Sequence, residues 1–252
     1  MLVDTVDNME PYTIGHSELI SRYSGIIARE MKLEQKDVRE IMTAGYLHDV
    51  GMLGLSGEIL FKAGKYTDVE FETMKLHAEV GASIIESTIS KERLASYIRH
   101  HHERWDGYGY PTGLKGEDIP LGARIISVAD MFNAKLTGRK YREPASFQRA
   151  LADLRAASGS QLDHAAVEAL ITWFRKKESD LSKKGRSLGP CWEMRCCPPG
   201  IADFCPAYKK NGVNCWEAEG TNCAAHGNSC ASCVVHTEYI YRTGKTTAGG
   251  IR

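Results

Sequence analysis

No cysteine occurs in the first 190 of the 252 residues. Thiolate ligation is therefore excluded from that part of the chain, and any metal chemistry there must use imidazole or carboxylate. Neither sign of charge is in excess, because 32 lysines and arginines balance 32 aspartates and glutamates. With no global field toward nucleic acid or anionic lipid, any anion selectivity has to be local. The opening residues, MLVDTVDNMEPY, lack the basic flank and apolar run of a secretory signal, and nowhere do about 18 uninterrupted apolar residues occur. These absences predict a cytoplasmic protein with no membrane span. Sustained two-residue alternation of apolar and polar residues is also missing, which argues against sheets.

What is present divides the chain. All eight cysteines lie between Cys191 and Cys233, and before them runs the charged stretch RKKESDLSKKGRSLGP, closing on Gly189 and Pro190. A domain of about 100 to 200 residues leaves room for an appendage. We expect a helical domain over 8–178, a linker over 179–190 and a cysteine-rich domain over 191–241.

In the first 180 residues apolar positions recur at three and four, the spacing of amphipathic helices. DVREIMTAGYLHDV carries Val38, Ile41, Met42, Gly45 and Tyr46 on one stripe that runs on to His48 and Asp49. Thr67 and Glu70 have the spacing of a capping box. They precede a face of Phe71, Met74, His77, Ala78, Gly81, Ile84 and Ile85, which turns His77 inward. In SKERLASYIRHHHE, Ser90 is placed to cap, and Leu94, Tyr97 and Ile98 lead to His101 and His102. Pro120 opens LGARIISVADMFNA, where Ile126, Asp130 and Asn133 share a face beside Leu121, Ile125, Val128 and Phe132. Asp163 begins a last helix with Val167, Leu170, Ile171 and Phe174. The fold class expected is all-α.

His48, Asp49, His77, His101 and Asp130 thus fall on or beside faces that should be buried, and a buried carboxylate is costly unless it is paired or bound to a metal. A bundle core is a usual place for such a site. Neighbouring helical residues diverge by about 100°, so His101 and His102 serve one centre best at a fraying helix end. Asp106, Gly107, Gly109 and Pro111 supply that end directly afterwards. Imidazole with carboxylate suits iron, manganese, nickel or zinc rather than calcium. With His16 and His102 added, the ligand set is five imidazoles and two carboxylates, enough for two divalent ions, and its net charge of about +1 fits a phosphodiester. Such a pair of ions acidifies water and stabilises the attacking and leaving oxygens at phosphorus. Arg139, Arg142 and Lys115 are candidates to hold the non-bridging oxygens.

Residues 12 to 175 resemble the HD-GYP phosphodiesterases, which degrade the bacterial messenger cyclic di-GMP. The likeness rests on HSELISRYS, YLHDVG, MKLHAEVGASII, HHERWDGYGYPTGLKGEDIP, ARIISVADMF and RKYR, in that order. It implies one metal on His16, His48, Asp49 and Asp130, a second on His77, His101 and His102, and Asp49 as the bridging catalytic carboxylate. His100 is then a bystander. Gly109, Tyr110 and Pro111 resemble the signature loop, which places Tyr110 with Arg139 and Lys115 against substrate and offers a surface to diguanylate cyclase domains. The chain departs from the family at Met52, where a lysine is usual, at Asn133, where an aspartate is usual, and at Tyr12, where some members carry the glutamate of a third metal. Two metals, iron or manganese, are expected. A cyclic dinucleotide receptor with a weakened site, and a phosphohydrolase for another cyclic nucleotide, stay open as alternatives.

The cysteine segment resembles the two-CW module through Cys191, Cys197, Cys205, Cys215, Cys223, Cys230 and Cys233, leaving Cys196 as an extra. A reduced compartment and a short polar segment favour zinc or an iron–sulfur cluster there over disulfides.

Overall fold

The computed structural model describes residues 2–7, 15–62, 64–89, 91–137 and 145–183, together with the isolated positions 206 and 218. The regular elements among them are helical, as expected. They are α1 (Leu2–Asp7), α2 (His16–Glu30), α3 (Gln35–Leu47), α4 (Gly57–Leu60), α5 (Asp68–Ile89), α6 (Glu92–Arg99), α7 (Leu121–Thr137), α8 (Phe147–Ala157) and α9 (His164–Lys183), with short 3₁₀ turns at Val50–Gly54 and Gly116–Asp118. No described helix is long and apolar enough to cross a membrane. The cysteines, Arg139, Arg142, Tyr12 and Ser90 lie outside the described residues.

Two compact units emerge, Met1–Asn133 with Asp153–Trp173, and Ala134–Ala152 with Phe174–Arg252. In the second, the rings of Phe147 and Phe174 meet edge-on at 4.8 Å. In the first, α2 packs on α3, α3 on α6, and α5 on both α6 and the Val50–Gly54 turn. Ile20, Ile27, Ile41, Leu94, Ile98 and Ile126 are fully buried there, and Tyr23 meets Phe132 edge-on at 5.2 Å.

The helical stripes bury their middles and fail at their ends. Val38, Ile41 and Gly45 are buried on α3, whereas Tyr46, in its last turn, is 37% exposed. On α5, His77, Ala78, Gly81 and Ile85 are buried, but Phe71 is 46% exposed. Phe71 sits in the first turn of α5, and the Val50–Gly54 turn meets that helix further along, at His77 and Gly81. The apolar stripe continues past the length of helix that has a partner.

The capping box forms as expected: the Thr67 N–H donates to Glu70 Oε2 at 2.7 Å, and the Glu70 N–H donates to Thr67 Oγ1 at 3.3 Å. Lys62 bonds the same carboxylate. The Lys62 bond, then the Thr67 amide and hydroxyl, lower the Glu70 acid to about 2. This contribution is complete above the ordinary glutamate value and is lost as pH falls toward 2. Thr67→Ala is expected to lower the melting temperature by about 2–4 °C. The loss should shrink below pH 4 in thermal unfolding followed by circular dichroism.

Helix α2 starts without a cap of its own. Gly15 precedes it at φ 71° with no side-chain hydrogen bond. Asp7, at the end of α1, fills the role instead, accepting the Ser17 N–H at 3.2 Å and the Ser17 hydroxyl at 2.6 Å. Burial pushes the Asp7 acid up in spite of those bonds. The carboxylate fixes the turn from which His16 projects.

Candidate metal centre

The expected ligands converge. His16 is the first residue of α2, and His48 and Asp49 follow the end of α3. His77 lies on α5, His101 and His102 follow α6, and Asp130 lies on α7. Asp49 stands at the middle. Its Oδ2 is 3.2 Å from His48 Nε2 and 3.9 Å from His16 Nε2, while its Oδ1 is 3.5 Å from His77 Nε2 and 4.0 Å from His101 Nε2. Asp130 Oδ1 lies 3.6 Å from His16 Nε2. Ligand atoms gather in two groups, Asp49 with His77, His101 and His102, and His16 with His48 and Asp130.

Consecutive ligands are possible because both pairs sit where a helix ends. The chain passes from α3 through Asp49, at φ −97° and ψ 7°, into the 3₁₀ turn. Beyond α6, His100 is the cap residue, and the rings of His101 and His102 lie 4.0 Å apart. His100 turns away, its Nδ1 against the Ser96 carbonyl at 2.9 Å.

The tautomers are set from behind. Nδ1 of His48, His77 and His101 donates to the carbonyls of Gly45, Met74 and Ile98 at 2.8, 2.7 and 2.6 Å. Because a carbonyl only accepts, each neutral ring presents a bare Nε2 lone pair to the cluster. Nε2 of both His77 and His101 is buried and makes no hydrogen bond. Lone pairs buried in that way are costly beside an apolar core and are satisfied by a cation. The donor set therefore fits divalent metal.

Asn133, an aspartate in the resembled family, is buried with its side-chain amide 2.8 Å from His16 Nδ1. That contact ties the His16 ring to α7 without the charge an aspartate would add.

The electrostatics are uneven. Burial alone would push His48 down, but the Asp49 carboxylate, with Asp130 behind it, carries it up to about 9. Burial also opposes the Asp49 anion, yet His48, His77 and His16 hold it well below the usual carboxylate range. Burial, then the neighbouring imidazoles, push His101 down to about 3 and His102 well below its ordinary value. The cluster thus draws positive charge toward Asp49, where a proton on His48 now sits and a metal would take its place, and keeps the His101 and His102 rings neutral, as ligation requires.

The glycine-rich loop folds back on the ligands. The Tyr110 N–H bonds the His102 carbonyl at 3.2 Å, and the Tyr110 ring stacks on the His102 ring at 4.8 Å. A Cβ on Gly109 would lie 2.5 Å from Glu103 Cα, so only glycine lets the loop return this closely. Glu103, 2% exposed, accepts the N–H groups of Thr112 at 2.7 Å and Gly113 at 3.0 Å. Sequence reasoning missed Glu103 and Asp7. The only signal for Glu103 was an acid directly after the paired histidines. Lys115, by contrast, is exposed, with its stem beside Gly107. Glu103→Ala is expected to free the loop that lays Tyr110 on the His102 ring, and thereby to weaken metal binding. Competitive chelation would measure it.

Helices that turn a consecutive His-Asp pair and four further imidazoles toward a common point form the arrangement of an HD domain. The HD domain model matches residues 1–166, and the chain belongs to that family. Among its relatives, a cyclic di-GMP phosphodiesterase of Thermotoga maritima is 37% identical over 180 residues, covering 68% of this chain and 49% of that protein. A 3′3′-cGAMP-specific phosphodiesterase of Vibrio cholerae is 37% identical over 165 residues, covering 66% and 36%. A crystal structure of a cyclic GMP-AMP-specific phosphodiesterase of V. cholerae shares the fold, with a TM-score of 0.53, 22% identity, and coverage of 69% of this chain and 47% of the other. The chain thus spans about half the length, or less, of these relatives.

Proposed function

We propose that the chain is a cytoplasmic, metal-dependent phosphodiesterase. It adds water across a P–O3′ bond of cyclic di-GMP to give linear pGpG, and then in part GMP. The observation that carries this reading is Asp49, whose two carboxylate oxygens face two different groups of imidazoles. His16, His48, Asp49 and Asp130 would hold one ion and His77, His101, His102 and Asp49 the other, with iron or manganese suited to the donors. When bound, such ions supply an acidified water and charge stabilisation at phosphorus. Asp49 stays ionised throughout and holds the two groups in register. Tyr110 keeps its proton, because burial and then Asp49 and Asp130 push its phenol up. Its hydroxyl can therefore donate to a non-bridging phosphate oxygen. Arg139 is proposed to neutralise the same phosphate, and Lys115, exposed on the loop, to meet the outer part of the ligand. The loop also offers Tyr108, 85% exposed, to a diguanylate cyclase domain. The cysteines are proposed to hold zinc or an iron–sulfur cluster, and resemblance to the two-CW module supports that.

Incubation of the manganese- or iron-loaded chain with cyclic di-GMP, followed by chromatography, is expected to show pGpG. Cyclic di-GMP left intact under both metals would refute hydrolysis, and binding without turnover would make the protein a receptor. The half-buried Met52, standing at the family's lysine position, favours that second reading. Met52→Lys is expected to raise turnover severalfold, since it restores a charge near the phosphate. Competition between cyclic di-GMP and cyclic GMP-AMP separates the substrates, the latter being named for the V. cholerae relative.

A further inference from the structure

Outside the ligand cluster, one cation is set apart by its surroundings. Lys75 lies one turn after Phe71 on α5, where residues four apart share a face. Its Nζ is 5.0 Å from the centroid of the Phe71 ring and 5.5 Å from that of Tyr110, which arrives from the loop after α6. Tyr110 in turn stacks on His102 at 4.8 Å. Phe71, the position that the helical stripe assigned to the core, is 46% exposed. A continuous path therefore runs from a ligand of the centre across Tyr110 to an ammonium and then to an open aromatic face. The Tyr110 ring stands between the ammonium and His102. The ammonium has three donors, and Glu72, 69% exposed, takes one at 2.6 Å. The Glu72 end of the pair is open to solvent and can be exchanged for a better anion.

We propose that Lys75 is a specificity-determining residue that binds the second phosphodiester of a cyclic dinucleotide, the one not being cleaved, with Phe71 as a stacking face for a purine. The inference rests on the cyclic dinucleotide reading above. It follows from the ligand's chemistry: a cyclic dinucleotide carries two phosphates, one placed at the metal centre, and the other needs a cation and flanking base contacts at some distance from it. Aromatic side chains beside a cation are the usual means of holding a base next to its phosphate.

The test compares equilibrium dialysis of cyclic di-GMP with hydrolysis of bis(p-nitrophenyl) phosphate, a diester with one phosphate and no base, using the full metal-loaded chain. Lys75→Met keeps the stem against Phe71. It is expected to weaken cyclic di-GMP binding about ten- to hundredfold, the range for a lost charge-assisted hydrogen bond. The ratio of kcat/KM for cyclic di-GMP to that for the small diester should fall by a similar factor, and Lys75→Arg should restore most of the loss. Glu72→Gln should tighten binding in the wild-type background and have a smaller effect when combined with Lys75→Met. Unchanged affinity and an unchanged ratio in Lys75→Met would overturn the role of Lys75 while leaving the phosphodiesterase reading intact. A wild-type chain that binds but does not hydrolyse cyclic di-GMP would overturn that reading and still allow the dialysis to decide on Lys75. Absence of any binding to the wild type would sink both.

Discussion

Asp49→Ala is expected to remove both metal ions and to abolish turnover, a loss of at least about three orders of magnitude. The reason is the division of its two oxygens, one 3.2 Å from His48 Nε2 and the other 3.5 Å from His77 Nε2. Alanine leaves five imidazoles and one carboxylate, so two dications would have to share a single negative charge. The comparison that gives this its force is Asp130→Ala. Asp130 falls in the group of His16 and His48, and its loss should weaken one ion and leave the other. Elemental analysis of protein loaded anaerobically with iron, or with manganese, reads the two outcomes directly. About two equivalents are expected for the parent, about one for Asp130→Ala and close to none for Asp49→Ala. Activity retained in Asp49→Ala, or equal loss in both variants, would show that the proposed bridge is wrong.

The convergence of His48, Asp49, His77, His101, His102 and Asp130 was legible because each falls where a helical stripe continues onto a polar residue, or where glycine and proline end a helix; His16, the first residue of α2, lies on no such stripe. His77 sits in register with Ala78 and Ile85, and its burial follows from period alone. The partners that hold the ligands were illegible for the opposite reason. Asp7 reaches Ser17 across the start of α2, Glu103 reaches Thr112 and Gly113 across a loop, and Lys75 meets Tyr110, which is 35 positions further on. No periodicity marks contacts made when the chain turns back on itself. Tyr46 and Phe71 show the reverse limit. A stripe records which side of a helix is apolar, not how far along that side a neighbour extends.

One glycine decides whether the two groups of ligands can meet at all. Gly51 lies two residues after Asp49, in the turn that packs on α5, and a Cβ built on it would overlap the His77 carbonyl oxygen and the Gly81 amide nitrogen, with Gly81 Cα 2.9 Å away. These are backbone atoms of a helix, and no rotamer change relieves them. Gly51→Ala must therefore push the turn off α5 and carry Asp49 away from His77. The destabilisation should exceed the roughly 1–3 kcal/mol of ordinary overpacking, and soluble yield should drop with it. Gly81→Ala is the graded control. Its Cβ would meet Ile98 Cγ2 at 3.1 Å and Gly51 N at 3.2 Å, tight contacts that small shifts of a side chain and a loop can relieve. Thermal unfolding should rank the parent first, Gly81→Ala second and Gly51→Ala last. In any Gly51→Ala protein that folds, the metal content should fall more steeply than the melting temperature, because the substitution separates the bridging carboxylate from one set of its imidazoles. A Gly51→Ala protein with the parent's melting temperature and metal content would mean that the turn does not lie on α5 as closely as the structure places it.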